Sequence, residues 1–340
     1  MTTLMRTEAL ESSRVVEEQL NANKGVLREI AQALSIKDVY SLVTIARGSS
    51  DHAAHYLSFL AAVKLGKLTT SLSMSALTLY KAPLDVQRSV GIAISQSGQS
   101  PDIVDPLSFM RAEGVPTVAL LNNVQSPLAQ KSEWIVPLWA GPERSVAATK
   151  SFIASLAASA SLVAAWKKDE AMHLALQKLP EDLKAAQELD WTKAIDSLAG
   201  AQRVMMVGRG YGLSLALEAA LKLKETCLIQ AEAFSAAEIK HGPQSLVEKD
   251  YPLVIFATRG PALQSILDLA KDMKNKGAKV ILAAPEFVKE KDLLIQSAHS
   301  EELDVITAVQ SFYLMAEELS RVRGLDPDRP RNLSKVTETR

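Results

Sequence analysis

The amino-acid sequence predicts an α/β protein of two tandem domains, each a parallel sheet between helix layers in a three-layer αβα arrangement. Three observations carry that prediction. The chain has 340 residues, which suits two domains of roughly 150 residues each. Short β-rich runs alternate with helical stretches along it, the pattern of parallel strands joined by helical crossovers. Two junctions, Ile45-Ala46-Arg47-Gly48-Ser49 and Met206-Val207-Gly208-Arg209-Gly210, each close a strand and open a helix, so the rhythm repeats.

From Thr7 to Leu34, Leu10, Val15, Leu20, Val26, Leu27, Ile30 and Leu34 recur at roughly helical spacing between charges, which predicts an N-terminal helical segment over residues 1–36. Leu42–Ala46, Val90–Ile94, Thr117–Leu121 and Trp134–Leu138 read as the strands of a first domain, residues 37–176. Ile153 to Trp166 is apolar but falls short of the roughly 20 residues of a membrane span, so it reads as a buried helix. Gln177 to Ala199 turns charged and polar and contains Pro180, which suits a connection. Arg203–Val207, Pro252–Ala257 and Lys279–Ala284 are the strands of a second domain, residues 195–325, and 326–340 form a C-terminal tail. Ligands of open parallel sheets gather at the carboxyl ends of the strands, where both glycine junctions lie.

Composition excludes several classes of function. Lysine and arginine number 38 against 39 aspartate and glutamate, so no net field favours nucleic acid or an anionic membrane. Cys227 is the single cysteine and no CxxC pair exists, which suits a reducing compartment. The first residues carry Arg6, Glu8, Glu11, Arg14, Glu17 and Glu18 where a secretory leader needs an apolar core. The expectation is a cytoplasmic protein with no membrane or nucleic-acid partner. His52 and His55 could share a helix face but have no further ligands nearby, and His173 and His299 look incidental, so neither a metal nor another cofactor is expected.

Three segments carry candidate chemistry. Ile94-Ser95-Gln96-Ser97-Gly98-Gln99-Ser100-Pro101-Asp102 follows a strand, with Ser100 fitting an N-cap and Pro101 the first helical position. Hydroxyls, a permissive glycine and free helix-start amides together make an anion site suited to a phosphate monoester. The same letters also describe an ordinary serine-rich turn. No GK[ST] stands here, and Gly208-Arg209-Gly210-Tyr211-Gly212 is not GxGxxG, so neither nucleotide fingerprint applies. Between Leu213 and Ile229, Glu218, Lys222 and Glu225 share one helix face, as a solvated charge stripe or as groups embedded in a cleft. The segment Glu232 to Pro243 reads as a polar helix ending in His241 on a Gly-Pro turn, where the histidine serves chemistry or merely ends the helix.

Four motifs occur in order along the chain: Ser95-Gln96-Ser97-Gly98, Glu218-Ala219-Ala220-Leu221-Lys222-Leu223-Lys224-Glu225, Glu238-Ile239-Lys240-His241-Gly242-Pro243 and Arg329-Pro330-Arg331-Asn332-Leu333-Ser334-Lys335. Together they resemble the isomerase half of glucosamine-6-phosphate synthase and the stand-alone isomerase-type glucosamine-6-phosphate deaminases. The resemblance implies two sugar isomerase (SIS) domains. It assigns Ser50, Ser95, Gln96, Ser97, Ser100, Ser334 and the backbone around Val146 to substrate binding. It makes Glu225 the group that moves a proton between C2 and C1, His241 the ring opener, and Lys222 and Lys335 the cations that hold the C1–C2 unit. It further implies a homodimer in which the histidine reaches the partner's site.

No glutamine-hydrolysing domain is present in the sequence, so the expected reaction is deamination of glucosamine 6-phosphate to fructose 6-phosphate and ammonia. Gln99, Ser100 and Ala148 replace the synthase pattern's glutamate, threonine and serine. A galactosamine-6-phosphate deaminase, a fructosamine-phosphate deglycase or a plain aldose–ketose isomerase would use the same core. A non-catalytic sugar-phosphate sensor would need only the phosphate loop, and no helix-turn-helix or basic arm accompanies it.

Overall fold

The computed structural model describes residues 2–335, so the last five positions of the expected C-terminal tail lie outside the described residues. The chain forms two compact units. The first contains Arg14–Glu143, Lys150–Gln177 and the chain from Ser334; the second contains the residues through Ser13, Arg144–Thr149 and Lys178–Leu333.

The helical N-terminus is three helices, α1 (Leu4–Leu10), α2 (Ser12–Ala22) and α3 (Lys24–Ile36). Then come β1 (Ser41–Ile45), α4 (Ser49–Leu60), β2 (Leu68–Ser71), α5 (Met74–Thr78), β3 (Ser89–Ser95), α6 (Pro101–Ala112), β4 (Thr117–Leu121), α7 (Pro127–Lys131), β5 (Trp134–Pro137) and α8 (Lys150–Lys167). These five strands form a parallel sheet in the order β2-β1-β3-β4-β5. One sheet face packs Ile45, Ala93, Ala119 and Leu121 against Ile103, Leu107 and Met110 of α6 and Leu128 of α7. Strand β2 was not legible, because Leu68-Thr69-Thr70-Ser71 lies at an edge with little burial and has no apolar run. Helix α8 is buried along most of its length, as its composition predicts. Its serines do not stay unsatisfied there: Ser155, Ser159 and Ser161 each donate to the carbonyl four residues back.

The stretch read as a polar connection is helical instead, forming the end of α9 (Glu170–Gln187) and α10 (Thr192–Leu198). Its charges, apart from the buried Asp182 that pairs with His299, lie on exposed faces while Leu179, Leu183, Ala186, Ile195 and Leu198 are buried, the amphipathic spacing that the charge count obscured. There follow β6 (Arg203–Gly208), α11 (Gly212–Cys227), β7 (Gln230–Ser235), β8 (Pro252–Phe256), α12 (Leu263–Asn275), β9 (Lys279–Ala284), β10 (Leu293–Leu294) and α13 (Asp304–Val322). The second sheet runs β10-β9-β8-β6-β7, all parallel, so its strands taken in chain order have the same arrangement as those of the first.

Strand β7 corrects the expectation of a polar helix from Glu232. Leu228 ends α11 in the left-handed region (φ 52°), and Gln230–Ser235 then pairs in full register with Arg203–Gly208. Alanine and glutamate favour a helix locally, and pairing at the sheet edge overrides that preference. On one face of this sheet Val207, Leu253, Ile255 and Leu282 pack with Ile266, Leu269 and Met273 of α12. An aromatic row from Trp191 through Phe256 and Phe312 to Tyr313 is also part of this unit. Gly208 is required at its junction, since a Cβ there would lie 2.1 Å from the Gly212 carbonyl oxygen. Among the described residues no helix is long and apolar enough to cross a membrane.

Candidate active site

In the first unit, the sheet order reverses between β1 and β3, which are paired neighbours with Ile45 opposite Ala93. Such a switch point opens a crevice at the strand ends. Two helices start there. Helix α4 begins at Ser49 after Gly48 (φ 55°), and α6 begins at Pro101 after the extended N-cap Ser100. Ser50, Ser95, Gln96, Ser97 and Ser100, all half-buried, therefore stand at one end of the sheet. Ser95 Oγ accepts from the Gly98 amide at 2.9 Å, and Ser97 Oγ accepts from the Gln99 amide at 3.4 Å. Those bonds curl the backbone into a concave arc, the form that cradles anions. Gly98 makes the arc possible: its φ is +63°, and a Cβ would lie 2.2 Å from Ser126 Oγ.

In the second unit, α11 holds a graded row of charge. Glu218 and Lys222 are fully buried, while the Glu225 side chain keeps 20% of its exposure. Lys222 Nζ is 3.4 Å from Glu218 Oε1 and in close contact with Glu225 Oε2. Tyr313 of α13 donates to Glu218 Oε1 at 2.8 Å. Burial works against the lysine's charge, but the Glu218 and Glu225 carboxylates outweigh it and raise its pKa above the ordinary value. The solvated-stripe alternative therefore fails for Glu218 and Lys222. The row orients one partly exposed carboxylate, Glu225, with a fixed ammonium behind it, which is an arrangement fit for moving a proton at carbon.

His241 ends a short 3-10 turn, Glu238–His241, rather than the long helix expected, and it is exposed just before Gly242 (φ 144°) and Pro243. Among the described residues no hydrogen bond or ion pair joins His241 to Glu225.

Lys335 belongs to the first unit, where its Nζ lies 3.4 Å from Glu143 Oε2. The sequence reading missed Glu143. Its carboxylate is fully buried and also accepts from the Ser151 amide at 3.1 Å and the Ser151 hydroxyl at 2.6 Å. The signal for it was faint, an acidic residue after Gly141-Pro142 in a loop between a strand and an apolar helix. Ser334 beside Lys335 is exposed. Val146 is half-buried in the second unit, and its amide donates to the Asp328 carbonyl at 3.4 Å. Among the described residues no group of three or more His, Cys, Asp or Glu is placed to hold a metal ion.

Comparison with known proteins identifies the family and the fold. The family model described as the SIS domain matches residues 35–165 and 197–310. A glutamine–fructose-6-phosphate aminotransferase (isomerizing) of Sulfurisphaera tokodaii is 33% identical over 337 residues, 98% of this chain and 56% of that protein. A Thermus thermophilus protein of the same name is 31% identical over 93% of this chain and 55% of its own length. The chain thus spans little more than half of these relatives. Among solved structures, an inferred phosphosugar isomerase of Silicibacter pomeroyi DSS-3 superposes with a TM-score of 0.91 at 38% identity, covering 96% of this chain and all of that one. Glucosamine-6-phosphate deaminase of Thermotoga maritima shares the fold, with a TM-score of 0.75 at 20% identity over 98% of this chain and all of that one.

Proposed function

Because this chain belongs to the SIS-domain family, we propose that it is a phosphosugar isomerase that deaminates an amino-sugar phosphate, glucosamine 6-phosphate first among them. The carrying observation is the buried Glu218–Lys222 pair behind the partly exposed Glu225. A sensor needs only an anion loop; a lysine buried between two carboxylates adds nothing to sensing and suits proton transfer at carbon.

The loop Ser95 to Ser100 would hold the 6-phosphate through hydroxyls and helix-start amides. His241 would exchange the ring-oxygen proton, a task suited to an imidazole, which can both accept and donate one. Glu225 would take the proton from C2 and return it to C1, with Lys222 and Lys335 countering charge as the enolamine forms. The resulting ketimine takes up water at C2 and releases ammonia, leaving fructose 6-phosphate. Atoms balance as amino-sugar phosphate plus water giving ketose phosphate plus ammonia. The aminotransferase relatives are named for joining an amino group to fructose 6-phosphate, and the proposed reaction is that amination run backwards. We place His241 of one copy at the Glu225 of a second, in keeping with its exposed turn.

A substrate panel tests the proposal. Ammonia and ketose phosphate should both appear from glucosamine 6-phosphate, and unphosphorylated glucosamine should react poorly. Galactosamine 6-phosphate, 6-phosphofructosamines and glucose 6-phosphate form the comparison arms. No ammonia from any amino-sugar phosphate, with glucose 6-phosphate isomerised, would replace deamination by plain aldose–ketose isomerisation. Co-refolding inactive His241→Ala and Glu225→Gln chains should restore about a quarter of wild-type activity if dimers share their sites, by random pairing of two copies.

A further inference from the structure

We propose that Arg47 reads the phosphate charge in the Ser95 to Ser100 loop, by cancelling the Asp102 carboxylate beneath it and offering its remaining N–H donors to the phosphate. This inference rests on the reading of that loop as the phosphate site.

The chain from Ile94 to Asp102 contains no lysine or arginine, so its own attraction for an anion comes from dipoles and hydroxyls alone. It does contain a negative charge. Asp102 follows Pro101 in the first turn of α6, with its side chain 6% exposed. With the loop empty, a carboxylate there favours the helix dipole. A phosphate dianion seated on the same helix start would face that buried carboxylate and be repelled.

Arg47 removes the conflict. It lies two residues beyond β1, the strand beside β3, so sheet order brings it alongside the loop. Its Nη2 is 3.1 Å from Asp102 Oδ2, across 55 positions of sequence. Asp102 takes that one N–H, and the Arg47 side chain remains 52% exposed. A guanidinium carries five donors in a planar fork that matches phosphate oxygens, so it neutralises the aspartate and still has donors to give. An ordinary half-exposed ion pair would stabilise the fold slightly and leave ligand binding unchanged. The two accounts therefore separate in a binding experiment.

Isothermal titration of the full chain with fructose 6-phosphate, inorganic phosphate and unphosphorylated fructose measures the difference. Arg47→Ala should weaken both phosphate ligands about 10- to 100-fold, the range of one lost charged hydrogen bond. Arg47→Lys should recover part of that loss, because an ammonium restores charge without the fork. Adding Asp102→Asn to Arg47→Ala should also recover part of it, because the repelling charge is gone. Melting curves for each variant confirm folding, which half-exposed Arg47 does not govern. Arg47→Ala binding fructose 6-phosphate within about twofold of a wild type that binds it would overturn this inference alone. A double variant no better than Arg47→Ala would overturn the charge cancellation. Wild-type protein indifferent to both phosphates would overturn the phosphate reading of the loop, and this inference with it.

Discussion

Replacing Lys222 by methionine separates stability from catalysis in the α11 row. Lys222 is 1% exposed and Glu218 is fully buried, so the variant removes the ammonium that faces the Glu218 carboxylate in the interior while the Tyr313 hydrogen bond stays. Breaking a buried pair from one side costs about 3–5 kcal/mol. For a folding unit of this size each kcal/mol shifts Tm by about 2–4 °C, so melting should fall by roughly 6–20 °C. Glu218→Gln together with Lys222→Met removes the ion pair from both sides, and the glutamine carbonyl can still accept from Tyr313. That double variant should regain at least half of the lost Tm. Glu225→Gln should melt within about 1 kcal/mol of wild type, as its carboxylate is partly solvated. Its rate of ammonia release should nevertheless fall about 10²- to 10⁴-fold. The pH dependence has a definite sign. The folded pKa of Lys222 stands above its ordinary 10.5, so its contribution to stability is full below that value. It is lost as pH rises through the folded pKa, and Lys222→Met should lack this alkaline loss. Differential scanning calorimetry measures all of these stabilities, and a Lys222→Met protein melting at the wild-type temperature would refute the reasoning.

Gly98→Ala should destabilise the first unit by about 2–4 kcal/mol, combining a left-handed backbone with overpacking against Ser126; chemical denaturation checks it. Glu143→Gln should loosen its hold on Lys335, and trypsin cleavage after Lys335 should quicken about tenfold for one weakened charged bond. Cys227 is fully buried, and that burial pushes its thiol up to about 11. Iodoacetamide at pH 8 should therefore label native protein far more slowly than urea-unfolded protein, and equal rates would contradict the burial.

Strands β3, β4, β6, β8 and β9 were legible because each is a short, largely apolar run closed by a turn, a signal contained within a few neighbouring residues. The start of α6 was equally local, with Ser100 and Pro101 carrying cap and first-turn preferences in adjacent positions. Strand β7 was not, since alanine-rich Gln230–Ser235 becomes a strand only by pairing with β6. Helical spacing put Glu218, Lys222 and Glu225 on one face, yet spacing says nothing about which end of that face meets the core. Packing against α13 decided it, burying Glu218 and Lys222 and leaving Glu225 partly open.

The sequence by itself determined the α/β alternation, the two glycine junctions and the residue types of the Ser95 to Ser100 loop and the α11 row. Those properties depend on backbone preference and periodicity within one element. Tertiary structure alone decided that Glu143 holds Lys335 across 192 positions and that Arg47 meets Asp102 across 55. Such pairs form only when strand order and chain return bring distant segments together. No local pattern records that meeting, because the attraction between the charges acts through space and not along the chain.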